Sequence, residues 1–153
     1  MKVSHIVNED IDEIEASGKQ CFLNMNLDNL GLDYCSASYK NNLARYICND
    51  NYLAIKCVCD KVIIGVLCGF VSPQIFSNNH SSFNIFMMQA LPSLKKLKKG
   101  RVIKKLLDTT QEICKKANIH LLQIGTMPSN DMSKYFERKN YKKGDIFYYK
   151  EVY

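Results

Sequence analysis

Glycine and proline are scarce in this chain of 153 residues, 7 and 3 respectively, and no internal repeat or low-complexity block appears. Those absences exclude collagen-like and disordered classes. A membrane span is lacking too. The longest apolar run, Val62 to Val71, contains two glycines and is about half of what a spanning helix needs. The N-terminal stretch MKVSHIVNEDIDEIE has no apolar core, so it does not read as a secretory signal. Nor is there a disulfide framework. The seven cysteines (Cys21, Cys35, Cys48, Cys57, Cys59, Cys68 and Cys114) are odd in number and irregularly spaced, as expected of reduced thiols in the cytoplasm. Cys57 and Cys59 project from one face of a strand, but no second pair follows at knuckle spacing. No metal site is therefore expected.

What is present suits a globular domain. The chain is 46% hydrophobic and 24% charged, and a chain of this length buries roughly 68–70% of its unfolded surface without staples. A single domain over residues 1–153, cytoplasmic and not membrane-bound, is the expectation. The net charge is 21 − 15 = +6, and much of it is concentrated. From Lys95 to Lys105, KKLKKGRVIKK carries seven cations and no acid. Such a patch is either a solvated helix face or an anion site for phosphate, nucleic acid or acidic lipid.

Periodicity orders the chain. A strand at about Val3–Val7 precedes a helix from about Asp10, whose apolar stripe is Ile11, Ile14, Cys21 and Phe22. A polar stretch leads to a second helix, about Ser38–Cys48, ended by Asn49-Asp50. Tyr52–Cys59 and Lys61–Ser72 form a hairpin about Asp60-Lys61. The polar loop SPQIFSNNHSS then leads to a fourth strand, Ser82–Ala90, stopped by Leu91-Pro92. The longest helix is expected from Gly100 or Arg101 to Ala117, with Val102, Ile103, Leu106, Leu107, Ile113 and Cys114 on one face. A strand at Ile119–Gly125, a helix at about Asn130–Lys139 capped by Ser129 or Asn130, and a strand at Asp145–Tyr149 complete the order. The pattern is β-α-α-β-β-β-α-β-α-β. It specifies an α+β domain with a central mixed sheet of about six or seven strands and about four helices.

The fourth strand, the basic segment and the helix after it form one chemical unit. A strand that feeds a helix N-terminus through backbone amides is a phosphate cradle, and Gly100 lets a ligand approach the backbone closely. Neither a Walker lysine motif nor G-x-G-x-x-G is present, which leaves an NTPase or a dinucleotide fold without support.

These elements, with the ending GTMPSNDMSKYFERKNYKKGDIFYYKEV, resemble the GNAT superfamily of acetyl-CoA-dependent N-acetyltransferases over essentially the whole chain. The cadence of that ending looks most like small phage-encoded members. In the family, a loop of the form R/Q-x-x-G-x-G/A holds the CoA pyrophosphate on its amides. Lys98, Lys99, Gly100, Arg101, Val102 and Ile103 align with that loop, and Arg101 and Ile103 stand where small residues are usual. The resemblance implies an oxyanion donor from the fourth strand, among Met87, Met88, Gln89, Ala90 and Leu91, with the pantetheine arm along the same strand. Asn130, a helix cap, becomes a further cofactor contact. The family's general-acid tyrosine falls on Phe136, and Tyr135 one place earlier is the candidate acid.

Acyl transfer to an amine also needs a neutral nucleophile. SSFNIFMMQA contains no acid, so His80, Asn84 and Gln89 are the nearest polar groups, with His120 at the entry of the next strand. By analogy Phe22 to Tyr39 shape the acceptor pocket, and the acids Glu9, Asp10, Asp12, Glu13 and Glu15 attract a cationic amine. The expected cosubstrate is acetyl-CoA, the partner an amine acceptor, and dimers are common in the family. Two other readings stand beside this one. One is a GNAT-fold binding or regulatory module without catalysis. The other is a nucleic-acid surface, which the lack of aromatics among the cations argues against.

Overall fold

The computed structural model describes residues 1–24, 33–74, 77–125 and 132–143. Its elements are β1 (Lys2–His5), α1 (Ile11–Asn24), α2 (Ser36–Ile47), β2 (Tyr52–Cys59), β3 (Val62–Gln74), β4 (Ser77–Ala90), α3 (Lys96–Lys116), β5 (Leu121–Ile124) and α4 (Ser133–Glu137). A 3-10 turn at Asn8–Asp10 leads into α1. Among the described residues the sheet has five strands in the order β1-β2-β3-β4-β5. The first four are antiparallel neighbours and β5 joins β4 in parallel. The α+β class and mixed sheet are as the sequence specifies. The sixth strand expected at Asp145–Tyr149 lies outside the described residues.

The β2–β3 connection is tight for a local reason. Asp60 and Lys61 both adopt positive φ, 54° and 65°, the two left-handed positions that match a two-residue hairpin to strand twist. The β3–β4 hairpin is longer than the polar sequence implies. Expected to end near Ser72 and resume at Ser82, the strands instead pair Pro73 with Ser81 and Gln74 with Ser77. β2 starts opposite Phe70, so beyond that point β3 is an edge on its β2 side, where proline's missing donor is tolerated.

Two apolar layers sandwich the sheet. On one face α3 buries Val102, Ile103, Leu106, Leu107 and Cys114 against Ile55, Leu67, Phe83 and Ile85. The close fit depends on Gly65, where an added Cβ would lie 2.4 Å from Val102 Cγ1. On the other face α1 and α2 pack Ile14 and Leu43 against Ala54, Val66 and Cys68. Lys56 crosses this second layer to pair with Asp10, each side chain only 14% exposed. The Asp10 carboxylate also accepts from Val7 N–H at 2.8 Å and so holds the entry to α1.

Two helix boundaries differ from the sequence expectation. α3 starts at Lys96, not at Gly100 or Arg101. Lysine and leucine favour the helix about as well as most residues, and one exposed glycine costs it only about 1 kcal/mol. α4 is confined to Ser133–Glu137, because Asn140 turns left-handed, φ 62°, and directs the chain back so that Tyr141 packs on Phe136 at 5.2 Å.

Candidate functional site

The parallel ladder between β4 and β5 has four rungs, Ser82 to Ile85 against Leu121 to Ile124. Beyond Ile85 no described strand pairs with β4 on that side. The change coincides with a bulge. Cys68 faces Met87 and Gly69 faces Ile85, so Phe86 is the extra residue, and bulges bend and twist the strand that carries them. Among the described residues, the last four of β4, Met87 to Ala90, therefore have no strand neighbour on that side.

The direction of the edge groups follows from one hydrogen bond. Leu91 N–H donates to Ile64 O at 2.9 Å, on the β3 side. Alternation in an antiparallel strand puts Gln89 and Met87 on that same side, and the N–H and C=O of Met88 and Ala90 on the open side. Of the five candidate donors, Met88 and Ala90 thus offer amides to a ligand. Leu91 has already used its own. The Met88 and Ala90 side chains pack towards the α3 core, whereas Met87 and Gln89 reach the opposite layer. There Tyr39 Oη donates to Met87 Sδ at 3.5 Å, and Gln89 Nε2 donates to Ser17 Oγ at 3.4 Å.

The open edge runs to the start of α3. Because the helix begins at Lys96, Lys98 and Lys99 lie within its first turn, and both amides donate to Lys95 O, at 2.9 and 3.0 Å. Gly100, Arg101, Val102 and Ile103 lie within the helix, and Val102 and Ile103 are buried in the core. The backbone donors that α3 points outwards are thus those of Lys96 and Leu97, one turn earlier than the aligned loop. Around them stand the side chains of Lys95, Lys96, Lys98 and Arg101, which with Leu97 and Met1 line a shallow basin of about 410 Å³. Gly100 has no atom within 4 Å of where its Cβ would stand, so its surface is open.

A second cleft, about 340 Å³, lies between α1 and the end of β4, lined by Glu13, Ser17, Gln20, Ile63, Leu91 and Ser93 among others. Cys21, one residue beyond Gln20, is partly buried on α1. Burial raises its thiol pKa, and Lys99 is near enough to oppose the rise. The sequence reading missed Ser17 and Gln20. Polar residues on α1 signal only an exposed face, and the contact of Ser17 with Gln89 of β4 is tertiary.

Tyr135 stands on α4 beside Asp108 and Lys104 of α3. Burial and the Asp108 charge raise its pKa, Lys104 lowers it, and the phenol stays protonated at neutral pH. Phe136, at the family's usual tyrosine position, is core. Asn130 lies outside the described residues. His80 and His120 meet edge-on, ring centroids 4.4 Å apart. They sit at the far end of β4, eight residues and roughly 26 Å along the strand from Met88. Asn84 donates to Ser72 Oγ at 2.8 Å and Ser82 Oγ at 3.2 Å.

No protein-family model and no curated protein matches the sequence. Solved structures do match in shape. A transcriptional regulator from Bacillus halodurans superposes with a TM-score of 0.80 at 14% identity, covering 99% of each chain. A predicted acetyltransferase with acetyl-CoA from Clostridium acetobutylicum gives 0.73 at 12% identity, over 98% of this chain and 95% of that one. A GNAT family acetyltransferase from Staphylococcus aureus gives 0.68 at 18% identity, over 99% and 98%. The chain has the GNAT fold. In this chain the bulged β4 is followed directly by the cationic start of α3. No helix among the described residues is long and apolar enough to cross a membrane.

Proposed function

We propose that this GNAT-fold chain transfers an acetyl group from acetyl-CoA to a primary amine by direct attack within a ternary complex. The observation that carries the reading is that, among the described residues, β5 pairs with β4 only as far as Ile85, beside the bulge at Phe86 and upstream of a cationic helix start. A pantetheine arm has amide groups spaced to pair with an open strand edge. The groups at Met88 and Ala90 are the partners for it. Further along, the Lys96 and Leu97 amides and the cations Lys98, Lys99 and Arg101 suit a pyrophosphate.

The chemistry assigns a task to each residue. The Met88 N–H faces the open edge and donates to the thioester oxygen as negative charge develops there. The neutral amine forms the new C–N bond, the C–S bond breaks, and the amine proton leaves to water. Tyr135, held protonated by burial and Asp108, returns a proton to the leaving thiolate.

The test is release of free thiol from acetyl-CoA in the presence of a panel of primary amines. Amine-stimulated release supports the reading. Binding of acetyl-CoA without any stimulated release favours a non-catalytic module of the same fold, a second reading to which the early start of α3 lends weight, because it withdraws the Gly100 to Ile103 amides from any ligand.

A further inference from the structure

The proposed reaction leaves open what kind of amine the site takes, and the layer opposite α3 bears on this. α3 covers one face of the sheet, so an acceptor approaches the open end of β4 from the α1–α2 face. On that face Phe86 stands at the bulge, 46% exposed although large and apolar. It meets Tyr46 of α2 edge-on at 4.9 Å and Phe70 at 6.2 Å. Tyr46 in turn stacks on Tyr52 at 4.8 Å, their planes within 20°. Four rings from α2, β2, β3 and β4 thus form one half-exposed wall, and Met87, with Tyr39 on its sulfur, adjoins it.

The charges expected to attract a cationic acceptor are already engaged. Asp10 pairs with Lys56, and Asp12 with Lys40 at 2.6 Å. Glu13 Oε1 accepts from Ile63 N–H at 2.7 Å, and Glu15 Oε1 accepts from Tyr34 Oη at 2.9 Å. Four of the five N-terminal acids are satisfied within the fold, and the nearby α3 start is strongly cationic. Among the described residues these four carboxylates already hold partners, so a polyamine or other multiply charged acceptor competes with bonds of the fold and with the cations of α3.

We infer that the acceptor is a monoamine carried on an aromatic body, whose ring packs against Phe86 while a short alkyl linker brings its nitrogen to the edge at Met88. From Phe86 to Met88 is two strand residues, about 7 Å, a span that such a linker covers. Aromatic rings meeting edge-on or offset supply contact beyond plain area burial. The inference rests on the acetyltransferase reading for its chemistry, but not for its binding measurement.

The experiment is calorimetric titration of the CoA-bound protein with 2-phenylethylamine and with spermidine, on the unaltered chain and on Phe86→Ala and Phe86→Leu. Phenylethylamine is expected to bind at least about tenfold more tightly than spermidine. Phe86→Ala is expected to remove about tenfold of that affinity, and Phe86→Leu less. CoA affinity is measured separately in both variants, so that a change in the bulged strand is told apart from loss of the ring. Equal or tighter binding of spermidine overturns the inference, and so does phenylethylamine affinity that ignores Phe86→Ala. Failure to bind CoA at all counts instead against the acetyltransferase reading, and phenylethylamine titrated into the free protein then decides the aromatic site alone.

Discussion

Ile85 pairs with Ile124 in the last rung that β4 shares with β5, and the next residue, Phe86, is the bulge. The end of one ladder and the bend in the other therefore fall at neighbouring positions. Among the described residues nothing pairs with β4 beyond that point on the β5 side, so a ligand's amides can bond there without displacing a described strand. Each expectation below depends on this arrangement or on the packing that holds it.

Proline at Met88 and at Gln89 separates the two sides of β4. The Met88 N–H faces the open edge, so Met88→Pro removes a donor the ladder does not use. Gln89 faces β3, and Gln89→Pro breaks a ladder bond, which sheets tolerate only at edges and bulges. Met88→Ala loses the same packing against α3 but keeps the donor, so the expected outcome is similar urea midpoints for Met88→Pro and Met88→Ala, with acetyl transfer about 10²–10³-fold lower in Met88→Pro. Gln89→Pro is expected to lose stability first. Equal activity in Met88→Pro and the unaltered chain contradicts the oxyanion assignment.

Lys98, Lys99 and Arg101 changed together to glutamine are expected to weaken CoA binding by about tenfold or more at low ionic strength. The loss shrinks as salt is raised, since exposed charges are screened over about 10 Å at 0.1 M. Calorimetry at two salt concentrations checks this. Unchanged affinity would remove the helix start from the site.

Gly65 tests the α3 packing. A methyl group there would stand 2.4 Å from Val102 Cγ1 and 3.0 Å from Gln89 O. Gly65→Ala is expected to destabilise by about 1–3 kcal/mol, read from urea unfolding. The double change with Val102→Ala is expected to recover part of the loss, because the contact is then relieved.

Alkaline pH should weaken the fold in a defined window. Burial pushes the Cys68 thiol up to about 12 from an ordinary 9, and Tyr39 is raised mainly by burial as well. A raised folded pKa gives stability that is complete below the unfolded value and is lost as pH rises towards the folded one. The urea midpoint is therefore expected to hold steady from pH 7 to about 9 and to fall between about 9 and 12. Cys68→Ala removes the thiol's part of that fall, and a curve of unchanged shape would contradict the assignment.

Tyr135→Phe keeps the ring and deletes the proton. If Tyr135 serves the leaving thiolate, kcat falls about 10²-fold or more with little change in KM. Unfolding by urea should be unaffected.

Local rules made much of the fold legible. The Asp60-Lys61 turn, the β2 boundaries and the apolar stripe of α3 follow from neighbouring residues. The start of α3 did not, because Lys96-Leu97-Lys98-Lys99 suits a helix as well as a loop. Nor did the β3–β4 arm through Pro73, whose tolerance depends on where β2 begins. The bulge at Phe86 is a register relation between two strands, which neither strand shows alone. The acids of α1 read as free charges in sequence, and their partners Lys56, Ile63 and Tyr34 lie about 20–50 positions away. The sequence marks Met87 to Ile103 as a candidate segment, but which of its amides are free depends on the Leu91–Ile64 bond and on the first residue of α3.

The most direct test is titration of the purified protein with acetyl-CoA, followed by calorimetry and thermal unfolding, with ATP alongside. A ligand bound only by the folded chain raises stability by about 2.7 kcal/mol at a hundredfold excess over its dissociation constant. Saturable, acetyl-CoA-selective stabilisation that diminishes in the Lys98, Lys99 and Arg101 variant is the predicted result. No stabilisation at millimolar acetyl-CoA, or an equal response to ATP, would contradict an acetyl-CoA site on the open edge of β4.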